Sequence, residues 1–378
     1  MSGTRAGRPL TQKRIFLFGL IATGAGAMVP LLLAEALLHY MPVTEPAYAQ
    51  PVNSQTPYLH FLPNRDVTYS HGWRFSIVTR KHVNNYGFAS DADFVRDDTS
   101  PLLTVIGDSF VEAWQVPNAE TMHGLLGARV AGHGRVYGIG FSGSPLSQYL
   151  AYAEMAHKDF APDGMVFVIV GNDFDESLLK YKQQAGYHYF ADHDGSLQLE
   201  RLDHPGQSTA VALASRSRLA MYIRHTIGFD LRKFAGFATD NDDLATRFAG
   251  NVAADASAER IEDSKAAIAA FLAQLPERSG LPPARVLFVV DAIRPQLYNP
   301  AEMAQAETSY FGRMRRHFIA EARGTGFEVV DMTGAFLAAY AQDGRKFEFP
   351  TDNHWNALGH SIVADEIARS AVFSTTLH

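Results

Sequence analysis

The sequence predicts a three-layer α/β domain, an open parallel sheet with helices on both faces, preceded by one transmembrane helix. Three observations predict it. Five short, almost continuously apolar runs occur: LLTVIG (102–107), RVYGIG (135–140), MVFVIVG (165–171), RVLFVVD (285–291) and FEVVD (327–331). Runs of that kind are what parallel strands covered on both faces require. Helix-like stretches fall between them, and alternation of strand and helix is the pattern of an open α/β sheet. Finally, an uncharged, mostly apolar run, Ile15–Ala34, follows a basic leader.

Composition narrows the chemistry before any motif is read. At 378 residues and 47% hydrophobic, the chain can bury a sizeable core. A net charge of −7 argues against a dedicated nucleic-acid binder, which would carry a basic surplus. The chain has no cysteine. Disulfide scaffolds, thiolate zinc sites, iron–sulfur ligation and a cysteine nucleophile are thereby excluded. Chemistry here runs on Ser, His, Asp, Glu, Lys, Tyr or a bound cofactor.

Taken in order, residues 1–14 form a cytoplasmic basic leader with Arg5, Arg8, Lys13 and Arg14 and no acid. Residues 15–38 form the transmembrane anchor: twenty helical residues at about 1.5 Å each match the ~30 Å core of a bilayer. Pro30 is tolerated in such a helix. The positive flank places the N-terminus in the cytoplasm and the rest across the membrane. Ala47-Tyr48-Ala49 has the small-x-small pattern a signal peptidase reads. It lies well downstream of an apolar run longer than a usual signal, so a retained anchor is expected. Residues 39–60, rich in Pro and polar residues, read as a linker. From 61 to 378 runs the main domain. Alternation through Trp73, Phe75 and Ile77, ahead of Asn84-Asn85-Tyr86-Gly87, predicts two short strands and a turn over 65–90. Helices are expected at 119–130, 145–158 with Pro145 in first position, 257–275, 301–322 and 357–371. The rhythm breaks at an insertion, about 175–255, partly helical around 216–229. Arg216, Arg218, Arg224, Arg232 and Lys233 in it read as a solvated helix face, with contact to an acidic glycan or lipid headgroups as the alternative.

Ligands of open parallel sheets sit beyond the carboxyl ends of the strands. The candidate residues are therefore those just past the runs: Gly107-Asp108-Ser109-Phe110, Gly140-Phe141-Ser142-Gly143 and Gly171-Asn172-Asp173. Near the C-terminus Asp352-Asn353-His354-Trp355-Asn356 joins them. Together these types support acyl transfer through a serine. A serine hydroxyl needs a base, and His suits that at neutral pH. A carboxylate on the other ring nitrogen holds the imidazole in one tautomer. Asp352 and His354, two apart, project the same way from an extended segment, whereas a helix would separate them by about 200°. Asn356 is then the cap of the following helix. The oxyanion needs donors: the N–H groups of Ser109 and Gly143 and the amide of Asn172.

These residues resemble the SGNH (GDSL-type) hydrolase superfamily. Gly107-Asp108-Ser109 matches its first block, Gly143 the glycine of its second, Asn172-Asp173 its third, and Asp352 and His354 its last. The likeness covers about 101–175 and 284–372, and it implies an SGNH/flavodoxin-like sheet. The tripeptide alone is a weak signal; four blocks in order, each at the predicted active edge, are a strong one. There are departures. Phe110 replaces the usual Leu. Gly138 stands where Asn is common, which removes a hydrogen bond supporting the first block. Val170 replaces the third block's first glycine, and the last block reads Asp-x-His rather than Asp-x-x-His. That last spacing, followed by Trp355, resembles branches linked to bacterial polysaccharide O-acetylation.

The expected function is a membrane-anchored, extracytoplasmic serine esterase or O-acyltransferase acting on acyl esters, acetyl by the resemblance, of a glycan. Ser109 is the nucleophile, His354 the base and Asp352 its orienter, with no cofactor and no metal required. Expected partners are the glycan or acyl-ester substrate, the membrane and, for a transferase, a membrane acyl-donor protein; nucleic acid is not among them. The alternatives are a catalytically inactive glycan-binding or assembly subunit, and a lipid esterase at the membrane surface. Asp291 and Asp331 also end strands and compete with Asp352 as orienter. His360 is the rival of His354, Asp108 reads as an acceptor for its own loop, and His188, His193 and His204 read as solvated loop histidines.

Overall fold

The computed structural model describes residues 12–228, 256–294 and 296–377. Arg5, Arg8, Arg232, Lys233 and the stretch 229–255 of the expected insertion lie outside the described residues. Helix α1, Gln12–Leu38, is long and apolar enough to cross a membrane, and its apolar window is not buried against the domain. Pro30 sits inside it without ending it. Its far end is tied down: Glu35 accepts from the backbone N–H groups of Arg218 and Leu219 and from Ser217 Oγ, each at 2.8 Å.

An antiparallel hairpin comes next, β1 (Arg65–His71) and β2 (Ile77–Val83). Trp73 and Phe75, expected to alternate along a strand, form its turn instead; Phe75 has φ +55° and Trp73 is 63% exposed. The alternation continues one element too early, because Gly72 breaks the ladder. Asn84–Gly87 turns the chain after β2. The stretch expected as a linker, 39–60, packs onto the domain: Val43, Val52 and Leu59 are all at most 2% exposed. Three apolar side chains scattered among prolines anchor it to the domain.

All five apolar runs form strands, β3 (Leu102–Gly107), β4 (Arg135–Gly140), β5 (Gly164–Ile169), β8 (Val286–Val290) and β9 (Glu328–Asp331), in one parallel sheet of order β4-β3-β5-β8-β9. Between β5 and β8 the insertion contributes a hairpin, β6 (His188–His193) with β7 (Ser196–Arg201), which no sequence signal had predicted. Period-two alternation sends Met165, Phe167 and Ile169 to one face and Val166, Val168 and Val170 to the other. The first face packs on Tyr149, Phe271 and Phe318, the second on Leu126, Phe336 and Val363. Three layers result, as predicted.

Helix boundaries differ from expectation where caps decide them. Short α2 (Ser109–Glu112) follows β3, and α3 (Met122–Arg129) starts only after Thr121, whose side chain accepts from Gly124 N–H. In α4 (Leu146–Phe160) Pro145 is the residue before the helix rather than its first. In the insertion lie α5 (Thr209–Ala214) and α6 (Arg218–Met221). Helix α7 (Ala258–Ser279) runs on through Pro276 to a left-handed Gly280. The helix expected at 301–322 is two, α8 (Pro300–Ala306) and α9 (Tyr310–Gly324), split where Ser309 caps the second. After α10 (Met332–Asp343) and the small pair β10 (Glu348–Phe349) and β11 (Asp352–Trp355), the chain ends in α11 (Ala357–Ala368) and α12 (Ala371–Leu377).

The strand order fixes where the site lies. Successive crossovers from β3 go first to β4 on one side and then back to β5 on the other. Loops leaving β3, β4 and β5 therefore diverge, which is the place where open α/β sheets leave a crevice.

Candidate active site

Ser109 opens α2 directly after β3. Asp108 caps that helix, its buried carboxylate accepting from Phe110 N–H at 2.9 Å. The turn is tight against β4: a Cβ on Gly140 would stand 2.5 Å from Glu112 N and 2.9 Å from Asp108 O. Only a glycine lets that strand pass so close to the serine turn.

Residues 352–355 are extended, and Asp352 and His354 share a face as their spacing required. His354 Nδ1 is hydrogen-bonded to Asp352 Oδ1, which also accepts from His354 N–H at 2.8 Å. With the ring proton held on Nδ1 by that carboxylate, Nε2 is an acceptor. It lies 2.7 Å from Ser109 Oγ, whereas Asp108 Oδ2 is 3.2 Å from the same hydroxyl. One hydroxyl proton serves one acceptor, and the shorter contact is to His354. The dyad is open to solvent on one side, His354 27% and Asp352 10% exposed.

Charge sets the protonation states. Burial drives Asp352 upward, yet the hydrogen bonds and charge of His354, with Gln115, hold its carboxyl far below the usual range. Burial drives His354 downward, but bonding to Asp352 and its charge, aided by Asp108, leave the imidazole above its ordinary 6.5. A proton abstracted from Ser109 is thus well received at Nε2. A hydroxyl, an imidazole and a carboxylate linked in this order can together support acyl transfer.

No family model matches the chain, and no curated protein matches it. Solved structures similar to it include a member of the lipolytic G-D-S-L family from Veillonella parvula, at 11% identity and TM-score 0.36, covering 71% of this chain and 97% of that one. An acetyl xylan esterase is 12% identical with TM-score 0.36, covering 70% and 97%. A GDSL-like lipase from Bacteroides thetaiotaomicron is 10% identical with TM-score 0.37, covering 75% and 93%. Likeness at this level carries no weight for fold or chemistry.

The rival groups are otherwise engaged. Asp291 pairs with buried Arg294 at 2.6 Å and accepts from the indole N–H of Trp355 at 3.0 Å. Asp331 is bonded to Arg315. His360, 1% exposed, accepts from Met122 N–H and packs edge-on against Trp355. Phe110 lies against the rings of His354 and Trp355, with centroids 4.9 and 5.0 Å away, which is the use of an aromatic in place of leucine. The space at Gly138 is taken: a Cβ there would meet the His123 ring at 2.6 Å.

The expected oxyanion donors lie on the two flanking loops. Gly143, φ +78°, follows β4 in a conformation that favours glycine. Asn172 follows β5, 8% exposed, its amide donating to Glu176 Oε2 across a long 3.4 Å. Glu176 is ion-paired with Lys182, and Lys182 Nζ donates to Gly143 O at 2.9 Å. Asn172, Glu176, Lys182 and Gly143 therefore form one chain of contacts across the crevice. Tyr187 adds a bond to Ser142 O at 2.6 Å. The insertion thus braces the Gly143 loop.

Sequence reasoning missed four supporting groups. Gln115 Nε2 donates to Asp352 Oδ2 at 3.0 Å. Its 3.0 Å approach to His354 Nδ1 is no second bond, since that nitrogen carries a proton of its own. Arg294 donates to Asn353 O at 3.1 Å and so clamps the histidine segment from below. Lys182 and Tyr187 sit in the insertion, where no motif pointed to them. Arg294, an arginine four residues past the end of β8, was the one legible signal. The histidines of the insertion differ from one another: His188 is buried against Gln148 and pushed down to about 4 by that burial, while His193 is exposed beside Glu200. Among the described residues no group of His, Cys, Asp and Glu is arranged to hold a metal.

Proposed function

We propose that this chain is a serine-dependent ester hydrolase or O-acyltransferase, acting on acyl, chiefly acetyl, esters of a glycan. The observation that carries it is the 2.7 Å contact of Ser109 Oγ with His354 Nε2, with Nδ1 held on Asp352. Ser109 attacks the ester carbonyl as its proton passes to His354, and the N–H groups of Ser109 and Gly143 and the Asn172 amide take the oxyanion. His354 then protonates the leaving alkoxide. The acyl-enzyme gives its acyl group to water, or to a sugar hydroxyl in a transferase, with His354 removing the acceptor's proton. Helix α1 crosses the cell membrane with its N-terminus in the cytoplasm, and the catalytic domain lies on the outer, extracytoplasmic side; an extracytoplasmic glycan fits that placement.

The test uses the full chain in detergent with an activated acetyl ester, with and without an acetyl-accepting oligosaccharide. Wild type should turn over and react with a fluorophosphonate at Ser109, and Ser109→Ala should do neither. Equal activity in the alanine variant would overturn the serine mechanism. Acetyl on the oligosaccharide marks transfer; free acetate marks hydrolysis.

A further inference from the structure

The domain contains a cavity of about 630 Å3 that neither Ser109, His354 nor Asn172 lines. Small-molecule sites typically enclose about 300–1,000 Å3. Its walls come from the N-terminal segment, β1, the turn after α2 and the insertion. Ala47, Val67, Trp114, Val211, Ala214 and Met221 make much of the lining. Tyr48 OH meets Ser215 Oγ at 3.1 Å, tying the N-terminal segment to the insertion at this cavity.

The lining begins at Thr44, shortly after α1 ends at Leu38. Leu38, Val43 and Met221 pack together, so the foot of the apolar helix and the cavity wall share a residue. The same end of the domain exposes apolar groups: Tyr40 is 90% exposed, Trp73 63% and Ile227 43%. Tyr222 donates to Trp73 O at 2.6 Å and stacks near Phe75, linking the hairpin turn to the insertion. Trp and Tyr at the end of a spanning helix are the usual residues of the membrane–water boundary. Glu45, His204, Arg224 and His225 also line the cavity. Glu45 is already paired with Arg218 at 3.0 Å. Arg224 is exposed and makes no ion pair among the described residues.

We infer that this cavity takes one acyl chain of a phospholipid from the bilayer that α1 crosses, with the lipid phosphate on Arg224. Carbon walls remove the chain from water, which is favourable in proportion to the apolar surface covered. The guanidinium matches a phosphate in charge and shape. The inference rests on α1 spanning a membrane and not on the reaction at Ser109. Trp114, a cavity wall, directly precedes Gln115, which holds Asp352, so the lipid site and the dyad share one turn.

The experiment places the full chain carrying Ser109→Ala, so that no turnover is needed, in phosphatidylethanolamine–phosphatidylglycerol vesicles. A trace phospholipid bears a diazirine at the end of one acyl chain, and crosslinked peptides are mapped after irradiation. Labels are expected on 44–49 and 204–225 as well as on α1. Ala214→Trp should cut cavity labelling at least tenfold, and Arg224→Glu at least threefold, with the unfolding midpoint of each variant recorded. Label on α1 alone would overturn the lipid site while sparing the anchor. Label on neither would overturn both. Cavity label undiminished in a folded Ala214→Trp chain would also overturn it, and should that variant not fold, the wild-type label map decides alone.

Discussion

Replacing Asp352 by Asn tests the dyad most sharply. The carboxylate accepts the His354 ring N–H and backbone N–H on one oxygen and Gln115 Nε2 on the other. An amide cannot do all three. If its oxygen stays on His354, its NH2 faces the NH2 of Gln115, donor against donor. If it flips to suit Gln115, NH2 faces Nδ1, the ring proton moves to Nε2, and the base toward Ser109 is lost. A triad carboxylate changed to its amide costs about 10⁴-fold in rate, or roughly 5 kcal/mol of transition-state stabilisation. The pH profile adds a direction. Activity needs neutral His354 and so rises with pH through its pKa. That pKa is raised in the native site, burial opposing and Asp352 prevailing. Without that carboxylate the downward pull of burial is opposed only by the charge of Asp108, and the acid limb of kcat/KM must move to lower pH. The assay is kcat/KM for an activated acetyl ester from pH 5 to 9, in wild type and Asp352→Asn. A variant within tenfold of wild type, with an unshifted acid limb, would refute the assignment.

Three further outcomes follow from the same geometry. Arg294→Met leaves Asp291 and Glu348 buried without their cation and should cost about 3–5 kcal/mol in urea unfolding, with kcat reduced as the 352–355 segment loosens. Gly140→Ala forces a Cβ into backbone at 2.5 Å and should destabilise by about 1–3 kcal/mol while cutting fluorophosphonate labelling of Ser109. Buried Glu112 is raised by desolvation to about 7 from 4.5, and buried Lys81 is lowered by desolvation to about 7 from 10.5. The folded state then holds the extra proton on Glu112 between pH 4.5 and 7, and lacks the one on Lys81 between 7 and 10.5. Their contribution to stability falls over the first window and recovers over the second. Unfolding free energies against pH should show Glu112→Gln flattening the acid window and Lys81→Met the alkaline one.

The sheet was legible because its strands are covered on both faces, which leaves unbroken apolar runs such as MVFVIVG. The meeting of Ser109, His354 and Asp352 was legible because each sits just past such a run or before a capped helix, where position at one edge of the sheet follows from topology. Gln115 and Lys182 were not. Each acts through one hydrogen bond across a gap of many residues, and neither local periodicity nor spacing encodes that. The hairpin turn was misread at Trp73 and Phe75 because exposed aromatics mimic strand alternation when a glycine, here Gly72, precedes them. The N-terminal segment passed for a linker because its buried Val43, Val52 and Leu59 are diluted by prolines and polar residues.

The unread parts of the chain hold the machinery together. Lys182 and Tyr187 bond the carbonyls of Gly143 and Ser142, so the loop after β4 is held by the insertion as well as by Glu112 of α2. The same insertion, through Ser217, Arg218 and Leu219, grips Glu35 at the foot of α1. One segment therefore contacts both α1 and the loop that carries Gly143. Cutting that connection, as in Glu35→Ala, should loosen α1 from the domain while leaving the Ser109–His354 contact, which is built on β3 and β11, in place.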